Sequence, residues 1–332
     1  MDGLEMGADG RPIVLATRDR VDALVAAVNR DGDEHIGPFP LSERPATVET
    51  LAANAVRAGC RPEHFRVVLA ALEASLADEF NLYGILATTE PHWPTVVVNG
   101  PIIEELNLNT GANAYGQGQR ANAAIGRALT LVYMNVAEAN PGRTDMATHG
   151  GPHKLGLCVG ENEEASPFDP LHVERGFEAD ESTVTVFGIE APHNCNDHVA
   201  DSAVGVLSTI ADGIAIPGAN TSYLTKRCEP HVVLSPEHAN TIARDGWKKD
   251  DIKRFLYDHA RIQRDRHRNL GLDMPRDGGL ARHAQGLRDN QLVPLAASPE
   301  RFVVTVTGGP GRHSLFCSSF GDTESVTRKI GD

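Results

Sequence analysis

Residues 183–213 read TVTVFGIEAPHNCNDHVADSAVGVLSTIADG, and this stretch decides the fold class. Its first residues are mostly β-branched or apolar and predict a buried strand over 182–189. Its end predicts an apolar helix over 198–211, with Asn196 or Asp197 as the N-cap at the end of a polar loop. A strand, a loop and a helix in this order are the repeating unit of an α/β protein.

The same rhythm recurs along the chain and predicts an α/β fold with a mixed or mostly parallel sheet flanked by helices, and with active-site loops at one rim. We divide the chain into an N-terminal segment, 1–92, and a main domain, 93–332, or treat it as one domain. Further helices are predicted over 19–29, 47–59, from Pro62 onward, 115–135, 236–244 and 247–265. Further strands are predicted over 12–16, 94–101, 213–218, 231–235 and 301–309, with a long loop near 267–295.

Composition limits the class of partner. The 332 residues carry 31 Lys and Arg against 45 Asp and Glu, a net charge of −14, which repels nucleic acid and anionic membranes. No apolar run approaches the roughly 20 residues that span a bilayer, and the N-terminus lacks a signal-peptide pattern. The five cysteines are odd in number and scattered, which favours reduced thiols. We therefore expect a cytoplasmic protein that takes a small-molecule substrate and forms a homo-oligomer.

The loop APHNCNDH, 191–198, contains a cysteine between two histidines just before the predicted helix. A helix N-terminus and neighbouring imidazoles lower a thiol pKa, which favours a thiolate. Cys195 is thus a candidate nucleophile, with His193 and Asp197 as its catalytic partners. We expect Cys195→Ser to fold normally but to lose function. The alternative interpretation is a loop whose polar residues only cap the helix.

The same loop is a candidate metal site. A thiolate and imidazoles are ligands that zinc prefers. The three side chains of His-x-Cys-x-x-His are too close in sequence for all of them to bind one ion without further ligands. Histidines from THGGPH, 148–153, would complete the site. We expect a divalent metal ion, zinc or iron, bound by members of one set: His149, His153, His193, Cys195 and His198.

The segment 99–129 is rich in amides and glycine where a solvent-facing helix would carry Lys and Glu. One interpretation is a cradle for an anion, in which backbone N–H groups and an arginine clamp the ligand. The alternative is a buried amide network or a subunit contact. The candidate ligand-binding residues are Asn109, Asn113, Gln119 and Arg120.

The C-terminal run RFVVTVTGGPGRHS, 301–314, passes from a strand into glycines and an Arg-His pair. Glycines permit close approach of the backbone to a ligand, and Arg312 adds a forked cation. Gly308, Gly309 and Gly311 join the candidate ligand-binding set, and His313 and Cys317 join the catalytic one. The alternative is a turn between two strands, with Cys317 as a small apolar residue. If one site uses both motifs, HNCNDH and GGPGRHS lie within about 20 Å of each other.

Three segments, LNLNTGANAYGQGQRANAAIGRAL (106–129), ENEEASPFDPLHVERGF (161–177) and VTGGPGRHS (306–314), resemble the large domain of a bacterial family. That family is named for a Cys-Gly-Ser-Cys or selenocysteine-Gly-Ser-Cys motif, which lies in a small Rossmann-like redox domain. This chain has no such motif. The resemblance therefore implies a large partner whose thiol or selenol chemistry comes from a small redox protein, and it implies no particular reaction.

Three function classes follow. The first is a metal-assisted hydrolase or lyase that acts on a small polar or anionic molecule. The second is a thiol enzyme that uses Cys195 or Cys317, in which a small redox partner takes part. The third is a non-catalytic subunit that binds a small anionic ligand. Bound metal separates the first class from the others, and thiol labelling separates the second from the third.

Overall fold

The computed structural model describes residues 5–42, 46–223, 227–269 and 287–331. Its helices are α1 Arg18–Ala26, α2 Val48–Ala58, α3 Phe65–Ser75, α4 Leu82–Ala87, α5 Ile102–Glu105, α6 Arg120–Asn135, α7 Leu171–Glu174, α8 Ala203–Ile214, α9 Pro236–Arg244, α10 Lys249–His259 and α11 Arg264–Asn269. Its strands are β1 Trp93–Asn99, β2 Cys158–Gly160, β3 Thr183–Ile189, β4 His193–Asn196, β5 His231–Leu234, β6 Arg261–Gln263, β7 Leu292–Pro294, β8 Val303–Val306, β9 His313–Cys317 and β10 Val326–Lys329. Helices and mixed sheets confirm the predicted α/β class.

The chain forms two compact units. Unit 1 comprises Met1–Gly160, Arg175–Gly188 and Ser325–Asp332, and unit 2 comprises Glu161–Glu174 and Ile189–Glu324. This division differs from the expected boundary at residues 92 and 93, since β1 belongs with the helices that precede it. Within the described part of the chain, no helix is long and apolar enough to cross a membrane.

Unit 1 is built on a sheet with the strand order β10-β3-β1-β2. β1 and β2 are parallel, with Val96 opposite Cys158, and β10 is antiparallel to β3. Every residue of β1 and β3 is buried. α6 packs against α2 and α3. The local chemistry sets α2 as expected, because Thr47 caps its first turn and Gly59 ends it with φ +90°.

Unit 2 contains a second sheet with the order β4-β9-β5-β8. β5 and β8 are parallel, while β9 is antiparallel to both β4 and β5. One face of this sheet, which includes Val232, Val304 and Phe316, packs in an apolar cluster with α8, α9 and α10. A separate two-stranded sheet pairs β6 with β7. The four main predicted strands thus lie in two sheets, β1 and β3 in one and β5 and β8 in the other.

Three predicted elements are wrong. Residues 12–16 form only an isolated bridge from Pro12 to Met6. Residues 213–218 are no strand, because the apolar spacing of α8 continues to Ile214. The helix predicted over 247–265 ends at His259 and gives way to β6. The predicted loop near 267–295 falls partly outside the described residues.

Candidate functional site

The motifs HNCNDH and GGPGRHS of unit 2 meet at one edge of its sheet, where strands β4, β5 and β8 end. β4 pairs with β9 so that Asn196 lies opposite His313. The rings of His198 and His313 are in edge-to-face contact, with centroids 4.9 Å apart. Since β4, β5 and β8 run in the same direction, their carboxyl ends share this edge, where α/β proteins commonly bind ligands. The predicted proximity of HNCNDH and GGPGRHS is confirmed.

The imidazole of His313 is oriented by an amide. Its Nδ1 lies 3.1 Å from Asn194 Oδ1, and both residues are exposed. An N–H on Nδ1 that donates to this oxygen leaves Nε2 with its lone pair. Because side chains alternate along a strand, His193 lies on the opposite face of β4 from Asn194. His193 therefore does not join His313.

Cys195 is a correction to the sequence analysis. It lies within a strand and not at a helix N-terminus, it is 5 % exposed, and it belongs to the apolar cluster of unit 2. A Cβ built on Gly213 of α8 would lie 3.1 Å from its Sγ. Burial raises the pKa of Cys195 to about 11, so the predicted thiolate is wrong. Burial also raises the pKa of Cys317 to about 12, with a smaller contribution from Cys195.

Asp197 orders its own loop. Its Oδ1 accepts hydrogen bonds from the backbone N–H groups of Val199 and Ala200, and its Oδ2 accepts one from Thr209 Oγ1. These bonds, the one from Ala200 first, lower the pKa of Asp197 to about 2. The N-cap of α8 is Ser202, whose side chain accepts from Gly205 N, so the cap predicted at Asn196 or Asp197 is wrong. No described contact gives Asp197 a role beside Cys195.

Sequence reasoning missed His238, which is fully buried in α9. Its Nδ1 lies 2.8 Å from Ser314 Oγ, and its Nε2 lies 3.1 Å from the carbonyl oxygen of Asp197. The carbonyl requires the proton on Nε2, so Ser314 donates to Nδ1. Burial lowers the pKa of His238 and favours this neutral form. Ser314 is also fully buried, so the pair holds the Asp197 loop to β9. The only sequence signal was the helix start Pro-Glu-His.

The glycine loop is a turn between strands β8 and β9. Gly308 and Gly311 have φ values of +115° and +140°, which favour glycine, and Gly308 O accepts from Asn162 Nδ2. Arg312 Nη1 donates to Ala200 O at 2.8 Å, so this guanidinium fastens the neighbouring loop. These contacts support the turn interpretation, and a ligand on Gly308, Gly309 or Gly311 stays a prediction.

A buried charge network anchors the segment 161–174 in unit 2. Glu161 is fully buried and accepts hydrogen bonds from Leu171 N at 2.8 Å and Val306 N at 3.2 Å. Lys249 Nζ lies 3.2 Å from Glu174 Oε2. Burial alone would raise the pKa of Glu174, but Lys249 and Lys253 outweigh it and hold that pKa below its usual range. The network fixes the segment and contributes no exposed reactive group.

The amide segment of unit 1 also uses its polar atoms locally. Asn109 donates to Ala112 O, Asn113 donates to Gln117 O, Gln119 donates to Asn107 O, and Arg120 donates to Gly59 O at the end of α2. A cradle for an anion needs donors that point away from the protein. These contacts satisfy the amides and Arg120 locally at the surface, so they do not form the buried amide network of the alternative interpretation, and the anion cradle stays a prediction.

The five predicted metal ligands are divided between the units. His149 and His153 lie in unit 1, whereas His193, Cys195 and His198 lie in unit 2. His153 is buried, with Nε2 2.6 Å from Pro91 O, which engages that nitrogen. Across the described ranges, no three His, Cys, Asp or Glu side chains converge to bind a metal ion. A metal ion bound by members of the predicted set stays a prediction.

Unit 1 contains a cavity of about 320 Å³ that sequence reasoning did not predict. Its lining includes apolar side chains such as Met134 and Leu155. It also includes a set of polar and aromatic side chains: Asp9, Trp93, Thr130, Asp145, His149 and Lys154. Asp145, His149 and Lys154 come from the loop segment 145–155 that already contained the histidine pair. Asp9 and Trp93 carried no signal in the sequence.

Charges surround this cavity in two groups. Lys154 Nζ lies 2.8 Å from Asp145 Oδ2 and 4.5 Å from the centroid of the Trp93 ring. Asp9 accepts hydrogen bonds from Arg127 and Arg11, each with a 2.8 Å contact. Burial would raise the pKa of Asp9, but the two guanidinium groups outweigh it and lower that pKa. The Asp9 carboxylate is therefore ionised near neutral pH.

The Trp93 ring is held in place by α6. Its Nε1 donates to Thr130 Oγ1 at 3.0 Å, and Thr130 Oγ1 lies 3.2 Å from Lys154 O. Tyr133 packs edge-on against Trp93, with ring centroids 5.9 Å apart. The helix thus sets both the aromatic wall of the cavity and the loop that carries Lys154.

A comparison of the chain with protein-family models and with curated proteins found no match.

Proposed function

We propose that unit 1 binds a small organic anion in the cavity between Trp93, Asp145 and Lys154. The observation that carries the proposal is an ion pair placed on a cavity wall. The side chains of Lys154 and Asp145 are only 13 % and 6 % exposed, so both charges are largely withdrawn from water. Such burial is costly unless other groups satisfy the charges, and a ligand in the cavity would supply one such group.

The sign of the ligand follows from the charges around the cavity. Asp9, Asp145 and Lys154 line the cavity, and Arg11 and Arg127, which do not line it, pair with Asp9, so these five groups carry three positive charges and two negative ones. The balance is one positive charge in a chain whose net charge is −14. Lys154 retains donor capacity, because an ammonium group has three N–H donors and its ion-pair partner among the described residues is Asp145. A carboxylate fits this balance better than a cation.

The size and lining of the cavity limit the rest of the ligand. A volume of about 320 Å³ lies at the lower end of the range that small-molecule sites occupy. Met134, Leu155 and the Trp93 ring supply apolar surface for a hydrocarbon body or a ring. A small carboxylate with an apolar body therefore fits both the charge and the shape.

Lys154 suits an anchoring role better than a nucleophilic one. Its Nζ contacts the Asp145 carboxylate and the face of the Trp93 ring, and both contacts hold an ammonium group in place. A nucleophilic amine needs the neutral form. An enzyme that acts on the bound anion is the second candidate, because exposed His149 lines the same cavity and offers an imidazole for proton transfer.

Calorimetric titration tests the proposal with a panel of small carboxylates, each matched to its neutral amide, such as benzoate and benzamide. We expect carboxylates to bind more tightly than their amides. The double variant Lys154→Met/Asp145→Asn removes both charges, so no buried carboxylate is left unpaired. It should weaken carboxylate binding by at least about tenfold, or roughly 1.4 kcal/mol.

Arg143→Met is the matched control, since it removes one exposed positive charge from unit 1. It should leave the affinity for carboxylates unchanged. The proposal fails if no carboxylate of the panel binds, if amides bind equally well, or if the double variant binds like the parent protein.

A further inference from the structure

We propose that His198 and His313 together bind a divalent transition-metal ion such as zinc. The site lies at the exposed edge of the unit 2 sheet. The two rings lie in contact, with centroids 4.9 Å apart and planes at 77°. Both residues are exposed, so an ion reaches them from solvent. This pair differs from the metal set predicted from the sequence, which contained His198 but not His313.

The ring separation matches two imidazoles on one ion. Zinc lies about 2.0–2.1 Å from a ligating imidazole nitrogen, and the ring centroid lies about 1.1 Å beyond that nitrogen. For N–Zn–N angles of about 90–110°, the two centroids are then about 4.5–5.2 Å apart. The observed 4.9 Å falls inside this range. The separation of the two rings therefore allows both to bind one ion once each ring turns a nitrogen toward it.

A hydrogen bond prepares His313 for this role. Nδ1 lies 3.1 Å from Asn194 Oδ1, and donation to that oxygen leaves Nε2 as the nitrogen with a lone pair. Metal-ligating histidines almost always donate their second ring N–H to an oxygen, which fixes the tautomer and the direction of the ring. Asn194 lies on β4 beside β9, so strand pairing fixes the position of the amide.

The remaining coordination positions belong to water or to a small exogenous ligand. No described set of three His, Cys, Asp or Glu side chains includes this pair. Asp197 has one oxygen engaged by N–H groups of its own loop and the other by Thr209 of α8, and His193 lies on the other face of β4. Two protein ligands give weaker binding than the four of a structural zinc site, and they leave the ion open to an anion.

The experiment is a calorimetric titration of the full chain with ZnCl₂ at pH 7.5, repeated with NiCl₂. The variants are His198→Ala and His313→Ala, and the control is His193→Ala, which lies on the opposite face of β4 from Asn194. The parent protein and the control should bind one equivalent of zinc at this site. We expect each of the two variants to lose that equivalent. Asn194→Ala should lower the affinity for this zinc ion by at least about tenfold, because His313 loses the partner that orients its ring.

All four substituted residues are exposed, so the variants should fold, and circular dichroism checks this. Zinc bound elsewhere on the chain appears as equivalents that no variant removes. The proposal is overturned if the parent binds no zinc at millimolar concentration, or if His198→Ala and His313→Ala bind as the parent does. A titration with benzoate in the presence of zinc separates this site from the cavity of unit 1, because the two sets of residues share no member.

Discussion

At the scale of single residues, the surroundings of Cys195 set its chemistry, and its neighbours in sequence do not. The flanking histidines suggested a thiolate, but the β-strand turns the thiol into the apolar cluster of unit 2. There, burial penalises the charged form and raises the pKa to about 11. The neutral thiol therefore predominates at neutral pH, although the histidines stay close in sequence.

We expect Cys195→Ser to lower the free energy of unfolding by about 1–3 kcal/mol, because it buries a hydroxyl group in an apolar cluster. Urea denaturation measures this change. Zinc binding by His198 and His313 should be unaffected. This outcome is the opposite of the sequence-based expectation, in which Cys195→Ser folds normally and loses function.

His193→Ser is the matched control, since it changes an exposed residue of the same strand and should alter stability by less than about 0.5 kcal/mol. A thiol reagent gives a second readout. All five cysteines are buried, so they should react slowly in the native protein and fully in denaturant. Rapid labelling of native Cys195 would contradict the buried assignment.

At the scale of elements, residues at the ends of helices predicted those ends well. The sequence did not predict which strands pair with each other. The Thr47 cap and Gly59 stop of α2 depend on adjacent residues, so the sequence contained them. The contact between Asn194 and His313 joins positions 119 residues apart and depends on strand register, which the sequence does not state. A short apolar run such as 213–218 is compatible with a strand or with the end of a helix. In the structure its first residues belong to α8, which packs in the apolar core.

The approach of α6 to the turn before β2 gives an element-scale prediction. A Cβ on Gly126 would lie 2.7 Å from the carbonyl carbon of Gly156. Replacing a glycine by alanine inside a helix ordinarily stabilises it by up to about 1 kcal/mol. Here we expect Gly126→Ala to destabilise unit 1 by about 1–3 kcal/mol, as overpacking does, because two backbones must separate.

Urea denaturation measures the effect of Gly126→Ala, and benzoate titration gives a functional readout. Binding should weaken as well, because α6 also carries Thr130, which holds Trp93 at the cavity. Gly111→Ala is the control, since its nearest neighbour, Asn109 Oδ1, lies at an ordinary 3.8 Å. Equal stability of the two variants would show that the close approach carries no cost.

At the scale of the whole molecule, the chain crosses between its two units several times, so no single cut in the sequence separates them. Unit 1 is assembled from three separate segments. The sheet that contains β1 takes β2 from 158–160, β3 from 183–189 and β10 from 326–329. A linker-based division assumes that each domain is one continuous segment. Pairing between distant strands overrides that assumption.

The last strand supplies the molecule-scale prediction. β10 pairs with β3, and Ile330 N donates to Ser182 O at 2.8 Å. Arg175 donates to Thr327 Oγ1 at 2.7 Å and to Ser325 Oγ at 2.6 Å. Removal of residues 325–332 leaves one side of β3 and the Arg175 guanidinium without these partners. We therefore expect the truncated chain to unfold at lower urea concentration and to bind benzoate more weakly than the full chain.

The same truncation should spare the proposed zinc site, because His198, His313 and Asn194 belong to unit 2, which contains none of the removed residues. Zinc titration of the truncated chain should therefore still show the equivalent that His313→Ala removes. Removal of residues 331 and 332 alone is the matched control, since it leaves β10 in place. If the longer truncation unfolds at the same urea concentration as this control, β10 does not stabilise unit 1.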